Sequence, residues 1–352
     1  MYERFFGFRE RPFDLTPDPR YLVLTEAHGE AMSNVEYGIA SRKGITLLVG
    51  EAGSGKTTVI RAAIDRQPDP VHCVYLCNPA LTRPEFVEML AVQFDLSTQA
   101  RESKTRLLIE LETLLRCRHE VNETTVLIVD EAQGLSLDLL EEIRLLANIE
   151  TDHEKLLTVI LAGQPALAKS LEDSSVSQLK QRIALWCELR PMTLQETAGY
   201  MLRRIQAAGG VAANAFTSDA VRLIHAASRG LPRIINVLAD NALLTGFALE
   251  TQPVTSRIVE EVCHDFQVGQ KPPSHASTVA PAPTLSIHAK RSAGKNVSIS
   301  PDKPPPARSN VIEDDAETVS SLNADVFEQY FYATSPNQKS LGSGPMGPAR
   351  LK

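Results

Sequence analysis

Five short runs rich in apolar residues punctuate residues 45–189, and apolar positions between them recur at three- and four-residue spacing. The runs are Ile45–Val49, Val71–Cys77, Val126–Val129, Leu156–Ala162 and Ile183–Leu189. Short apolar runs closed by polar residues read as strands buried on both faces of a parallel sheet. The stretches between them predict helices near 58–65, 83–95, 102–119 and 136–149, with short helices before the fifth strand. Strands alternating with helices predict an α/β fold, a five-stranded parallel sheet in a three-layer αβα arrangement. From Thr193 the strand pattern stops. Helical spacing at 193–208, 217–228, 231–249 and 255–267 predicts a small all-helical domain.

The pattern fades again near residue 269. Residues 271–352 hold 11 of the 22 prolines, with many Ser, Ala and Gly. Such a segment buries too little apolar surface to offset its ordering entropy, so the expectation is disorder. Within it, Leu322–Tyr332 mixes acidic and aromatic residues and reads either as a segment that folds on a partner or as an isolated apolar patch. The expected layout is 1–192 for the αβα domain, with a linker over 1–25, then 193–268 for the helical lid and 269–352 for the tail.

Two motifs carry chemistry. Gly50-Glu51-Ala52-Gly53-Ser54-Gly55-Lys56-Thr57 completes G-x-x-x-x-G-K-[ST] between the first strand and its helix, and Thr58 continues that helix. Backbone N–H groups of such a loop wrap the phosphates of a nucleoside triphosphate, ATP or GTP. Lys56 is placed to reach the β- and γ-phosphates, and the Thr57 hydroxyl to ligate Mg²⁺. The second motif is Asp130-Glu131, at the carboxyl end of the Val126–Val129 run, where α/β sheets hold their ligands. Asp130 is expected to hold Mg²⁺ and Glu131 to deprotonate the attacking water. A glutamate directly after the metal-binding aspartate favours hydrolysis over transfer to a separate acceptor.

Charge and cysteine usage narrow the class. The net charge is −7, so the chain is no polycation built to coat nucleic acid. The tail carries nine Lys and Arg against seven Asp and Glu, leaving residues 1–270 at −9. Five scattered cysteines without a Cys-x-x-Cys pair read as free thiols in a reducing compartment. No segment has the length and apolarity of a signal peptide or a membrane helix, so the expectation is a cytoplasmic protein, peripheral at a membrane through a partner without direct insertion.

A phosphate loop, a sheet and a helical lid together point to an AAA+ ATPase, and four positions extend that reading. Gln164, after the fourth strand, is the candidate first sensor of the γ-phosphate or attacking water. Arg233, in Gly230-Leu-Pro-Arg233 at a lid helix start, is the candidate second sensor, drawing the lid closed. Arg182 ends a helix before the fifth strand and is the candidate arginine finger for a neighbouring copy, with Lys180 and Arg190 as alternatives. Asn78, after the second strand, either holds Glu131 idle or caps the following helix.

The sequence resembles the ATPases of the general secretion pathway A family, and more closely the secretion ATPases associated with exosortase (PEP-CTERM) loci. The resemblance rests on Met1-Tyr-Glu-Arg-Phe-Phe-Gly-Phe8, Pro12-Phe-Asp-Leu-Thr-Pro-Asp-Pro-Arg20 and Tyr37-Gly-Ile-Ala-Ser-Arg-Lys-Gly44. Asp130-Glu-Ala-Gln133, Leu161-Ala-Gly-Gln-Pro165 and Gly230-Leu-Pro-Arg233 complete it. It implies an AAA+ fold, ATP hydrolysis with Mg²⁺, a homo-oligomer and a protein partner at the bacterial cell envelope. Members of the general secretion pathway A type continue into a membrane helix and a periplasmic peptidoglycan-binding segment. Here the Pro-rich tail follows instead, which favours the exosortase-linked type. A second class is a DNA-binding regulatory ATPase of the transposition type. Nucleic acid would need a basic face, for which Arg203, Arg204 and Arg222 are the candidates.

Overall fold

The computed structural model describes residues 1–15, 23–68, 70–76, 81–173 and 176–266. The expectations for Asn78, for the tail over 269–352 and for Leu322–Tyr332 lie outside the described residues. In chain order the elements are α1 (Tyr2–Phe6), α2 (Glu26–Ala40), β1 (Ile45–Gly50), α3 (Lys56–Asp65), β2 (Val71–Leu76), α4 (Arg83–Gln93), α5 (Thr98–Glu102) and α6 (Lys104–Glu120). They continue with β3 (Thr124–Val129), α7 (Leu137–Leu146), β4 (Leu157–Gly163), α8 (Pro165–Ser170), α9 (Ser177–Lys180) and β5 (Ile183–Leu189). Five helices follow: α10 (Leu194–Ala207), α11 (Ala212–Ala215), α12 (Ser218–Ser228), α13 (Pro232–Ala248) and α14 (Ser256–Asp265).

The five strands form one parallel sheet in the order β2-β3-β4-β1-β5. Every residue of β1 and β4 is buried, while the outer strands β2 and β5 are only partly covered, as a sheet layered by helices requires. Alternate residues face opposite layers. Leu47, Leu127 and Leu161 pack with Phe86, Leu111 and Ile143 on one side. Leu48, Ile128 and Ile160 pack with Val35, Val59 and Ile60 of α2 and α3 on the other.

Register places the chemistry. Val49 pairs with Gly163, and Leu161 with Val129, so β1, β4 and β3 end side by side. The phosphate loop, Asp130-Glu131 and Gln164 therefore leave the sheet at one edge.

The opening segment departs from the expected linker. Tyr2, Phe6, Phe8 and Phe13 are buried among Ile205, Phe216, Ile224, Leu238 and Val259, in the core of the helical domain and not of the sheet. Phe13 meets Phe216 edge-on at 6.0 Å, and Phe5 meets Phe247 at 5.7 Å. A five-residue helix cannot stand alone, and four large rings gain most where apolar cover is deepest. Buried Arg204 fastens this segment. Its Nε donates to the Pro12 carbonyl at 2.6 Å, Nη2 to the Asp14 carbonyl at 3.1 Å and Nη1 to the Tyr200 hydroxyl at 2.8 Å.

Among the described residues, no helix is long and apolar enough to cross a membrane. Cys73, Cys117, Cys187 and Cys263 are free thiols.

Candidate functional site

β1 ends at Gly50, and the loop turns into α3 with Gly55 as N-cap at φ 100° and no side-chain cap. In α2, α6, α7, α10 and α12 a Ser or Thr side chain closes the first turn. The first-turn N–H groups of α3 have no such acceptor, and with the helix dipole they favour an anion. Lys56, 5% exposed, donates from Nζ to the carbonyls of Gly50 at 2.9 Å and Glu51 at 3.0 Å. Burial holds its ammonium below the ordinary value, while Glu131, Asp130 and Glu51 pull the other way. Ala52 and Glu51 are exposed on the loop, and Ser54 is buried beneath it.

The Thr57 hydroxyl donates to Asp130 Oδ2 at 2.7 Å, joining phosphate loop and acidic strand across 73 residues. A hydroxyl and a carboxylate side by side are hard oxygen donors of the kind Mg²⁺ takes, with phosphate and water completing its shell, so these residues fit that ion. Glu131 stands in the left-handed region at φ 53°, and its N–H donates to Asp130 Oδ1 at 2.9 Å. Its carboxylate accepts two amides at Oε2, from Gln133 Nε2 at 2.5 Å and from Gln164 Nε2 at 3.2 Å. The Gln133 bond first, then that of Gln164 and the Lys56 charge, hold this carboxyl below the usual range, with burial opposing.

The helical domain closes the site. Arg233 lies in the first turn of α13, and its N–H donates to the Gly53 carbonyl at 3.3 Å. Gly53 has φ 79°, and a Cβ there would sit 2.7 Å from the Arg233 Cβ, so loop and helix approach this closely only because Gly53 has no side chain. A cleft of about 450 Å³ results. Gly53, Gly55, Lys56, Thr57, Thr58 and Glu131 line one wall. Met192, Tyr200, Arg204, Pro232, Arg233 and Asn236 of the helical side line the other, and Asp14, Leu15, Val23 and His28 complete the lining.

Lys56, Thr57, Asp130, Glu131, Gln164 and Arg233 are thus brought to one site. Arg182 is not. It is exposed near Glu150, at the sheet edge where β5 begins. Arg190, an alternative finger, forms a paired contact with Glu196 at 2.7 and 3.0 Å, inside the capping box of α10. Arg204 is buried at 6% exposure, which removes it from any basic face.

Two site residues escaped the sequence reading. His28, 5% exposed, contacts the Thr25 hydroxyl through Nδ1 at 2.7 Å and the Ser54 carbonyl through Nε2 at 2.8 Å, tying α2 to the phosphate loop. A lone histidine on a helix carries no motif. Gln133 follows the acidic pair in Asp130-Glu-Ala-Gln133 with no spacing that marks a role, and only the fold returns it to Glu131.

The AAA domain family matches residues 39–171. The chain is 39% identical over 249 residues to general secretion pathway protein A of Aeromonas hydrophila, covering 70% of this chain and 45% of that one. It therefore spans less than half the length of that relative. Among solved structures, the ORC2 protein of Aeropyrum pernix, in its ADPNP and ADP complexes, aligns at TM-score 0.55 and 18% identity, over 73% of this chain and 71% of that one. The Cdc6p protein of Pyrobaculum aerophilum aligns at 0.54 and 17% identity, over 72% and 70%. At such identities these two likenesses speak for the fold alone.

Proposed function

This chain is an AAA+ protein related to general secretion pathway protein A over 70% of its length, and from that premise we propose that it binds and hydrolyses ATP to drive or regulate secretion or envelope assembly through a protein partner. The observation that carries the chemistry is the 2.7 Å bond between Thr57 and Asp130, with Glu131 opening the same cleft. Lys56 and the loop N–H groups hold the phosphates. Mg²⁺, held by Thr57 and Asp130, would supply charge neutralisation on the phosphate oxygens. Glu131 takes the proton of the attacking water while Gln164 orients it. The water oxygen bonds the γ-phosphorus as the bond to the β-phosphate oxygen breaks, leaving ADP and phosphate. Arg233 meets the γ-phosphate from the lid, and Arg182 of a neighbouring copy completes the site. Such a protein works on the cytoplasmic face and reaches the envelope through its partner.

Two variants test this. Lys56→Ala should weaken fluorescent-ATP binding by about a hundredfold, the scale of a lost charge-assisted contact. Glu131→Gln should still bind ATP, with phosphate release down by about 10²–10⁴. Full turnover by Glu131→Gln overturns the mechanism. Turnover stimulated by duplex DNA, with salt-dependent binding, overturns the envelope role in favour of the DNA-acting class.

A further inference from the structure

Gln133 occupies both ends of its amide in the site. Nε2 donates to Glu131 Oε2 at 2.5 Å, and Oε1 accepts the N–H of Gln164 at 2.9 Å. Gln164 completes the ring with its own Nε2 on the same Glu131 oxygen at 3.2 Å. Flipping the Gln133 amide would set its oxygen against the carboxylate and its NH₂ against an N–H, so the orientation is fixed.

Two backbone features support this arrangement. Glu131 adopts φ 53°, a region a non-glycine residue enters at a cost and keeps only where its surroundings hold it. That left-handed step starts the short 3₁₀ turn Ala132–Gly134, which carries Gln133 back over Glu131. At the end of β4, a Cβ on Gly163 would lie 3.0 Å from Gln133 Oε1, so a residue without a side chain stands where the amide must fit.

We propose that Gln133 is the positioning residue of the hydrolytic site, fixing the Glu131 carboxylate with its amide NH₂ and registering it to Gln164 with its amide oxygen. The assignment rests on Glu131 as the base. Both of its amide bonds go to Glu131 and Gln164. It acts through the base. When Gln164 turns to the γ-phosphate or the attacking water, Gln133 remains the donor that keeps Glu131 aimed.

Two substitutions separate its two bonds. Gln133→Glu keeps an acceptor for the Gln164 N–H and replaces the donor to Glu131 with a like charge. Gln133→Leu removes both. A base displaced by about an ångström costs on the order of a hundredfold in rate. Single-turnover phosphate release from saturating Mg-ATP should therefore fall about ten- to a hundredfold in each variant, with fluorescent-ATP affinity within about twofold of native. Pairing Gln133→Glu with Glu131→Gln rebuilds the bond with donor and acceptor exchanged. That double variant should recover the melting temperature lost by Gln133→Glu alone, a readout independent of turnover.

Native-rate hydrolysis in both variants overturns the proposal. Faster hydrolysis also overturns it, since the amide would then be a brake. So does ATP affinity falling in step with rate, or a double variant that melts no higher than Gln133→Glu. A fully active Glu131→Gln would instead remove the base assignment. An inactive Glu131→Gln beside native-rate Gln133 variants removes only the role of Gln133.

Discussion

His28 bonds the Thr25 hydroxyl through Nδ1 and the Ser54 carbonyl through Nε2, and a carbonyl partner at Nε2 requires the proton there. The neutral ring then accepts the Thr25 hydroxyl at Nδ1, so both contacts are satisfied without charge. Burial pushes the imidazole below its ordinary 6.5, while Glu196 and Arg190 act on it in opposite senses. The unfolded chain thus takes up its proton first as pH falls. The contribution of His28 to stability is complete above the unfolded value and is lost as pH drops through the lower folded one. His225, also pushed down by burial, adds in the same direction. Urea midpoints should fall between about pH 7.5 and about pH 5.5, with a smaller fall in His28→Gln. Equal falls in both proteins would remove His28 as the cause.

Among elements, the most consequential attachment is that of residues 1–15 to the helical domain. Arg204 holds two of their carbonyls, and Asp14 and Leu15 continue from that anchor into the cleft. Arg204→Met strands the Pro12 and Asp14 carbonyls and should cost about 3 kcal/mol, since bonds from a charged donor are worth about 1.5–3 kcal/mol each. ATP affinity should fall with it. Calorimetry and nucleotide titration read the two effects, and an unchanged melting temperature would deny the anchor. The phosphate loop and the acidic strand were legible beforehand because each is a contiguous string whose flanking apolar run fixes its place on the sheet. The destination of Phe6 and Phe13 was not, because their partners Phe216 and Leu238 lie some two hundred residues on, with no local periodicity to signal them. Gln133 was hidden for a related reason. Its meaning depends on the left-handed step at Glu131, which a sequence pattern does not encode.

At the scale of the whole molecule, Arg182 and the phosphate loop sit at opposite edges of the sheet. β5 starts at Ile183, paired with Ile45, and the loop follows Gly50, about 17 Å further along the strand at 3.3 Å per residue. Arg182 can therefore serve a second copy more readily than its own site. Turnover per subunit should rise with protein concentration, and Arg182→Ala, still binding ATP, should depress native protein mixed with it. Trp186, 46% exposed and four residues on, supplies the emission that reports association. Turnover that ignores both concentration and the variant would leave Arg182 as a solvated helix end. The placement of the opening residues has one more effect, on how the chain is made. The Tyr2 hydroxyl donates to Asp240, 238 residues away. At about 5–20 residues per second, a ribosome needs roughly 10–50 s to deliver that partner. The sheet can close as soon as β5 has emerged, but Tyr2 lacks Asp240 and Phe5 lacks Phe247 until α13 follows. The aromatic cluster is therefore completed only by a helix made long after it, and in the interval it is open to chaperones at the tunnel exit.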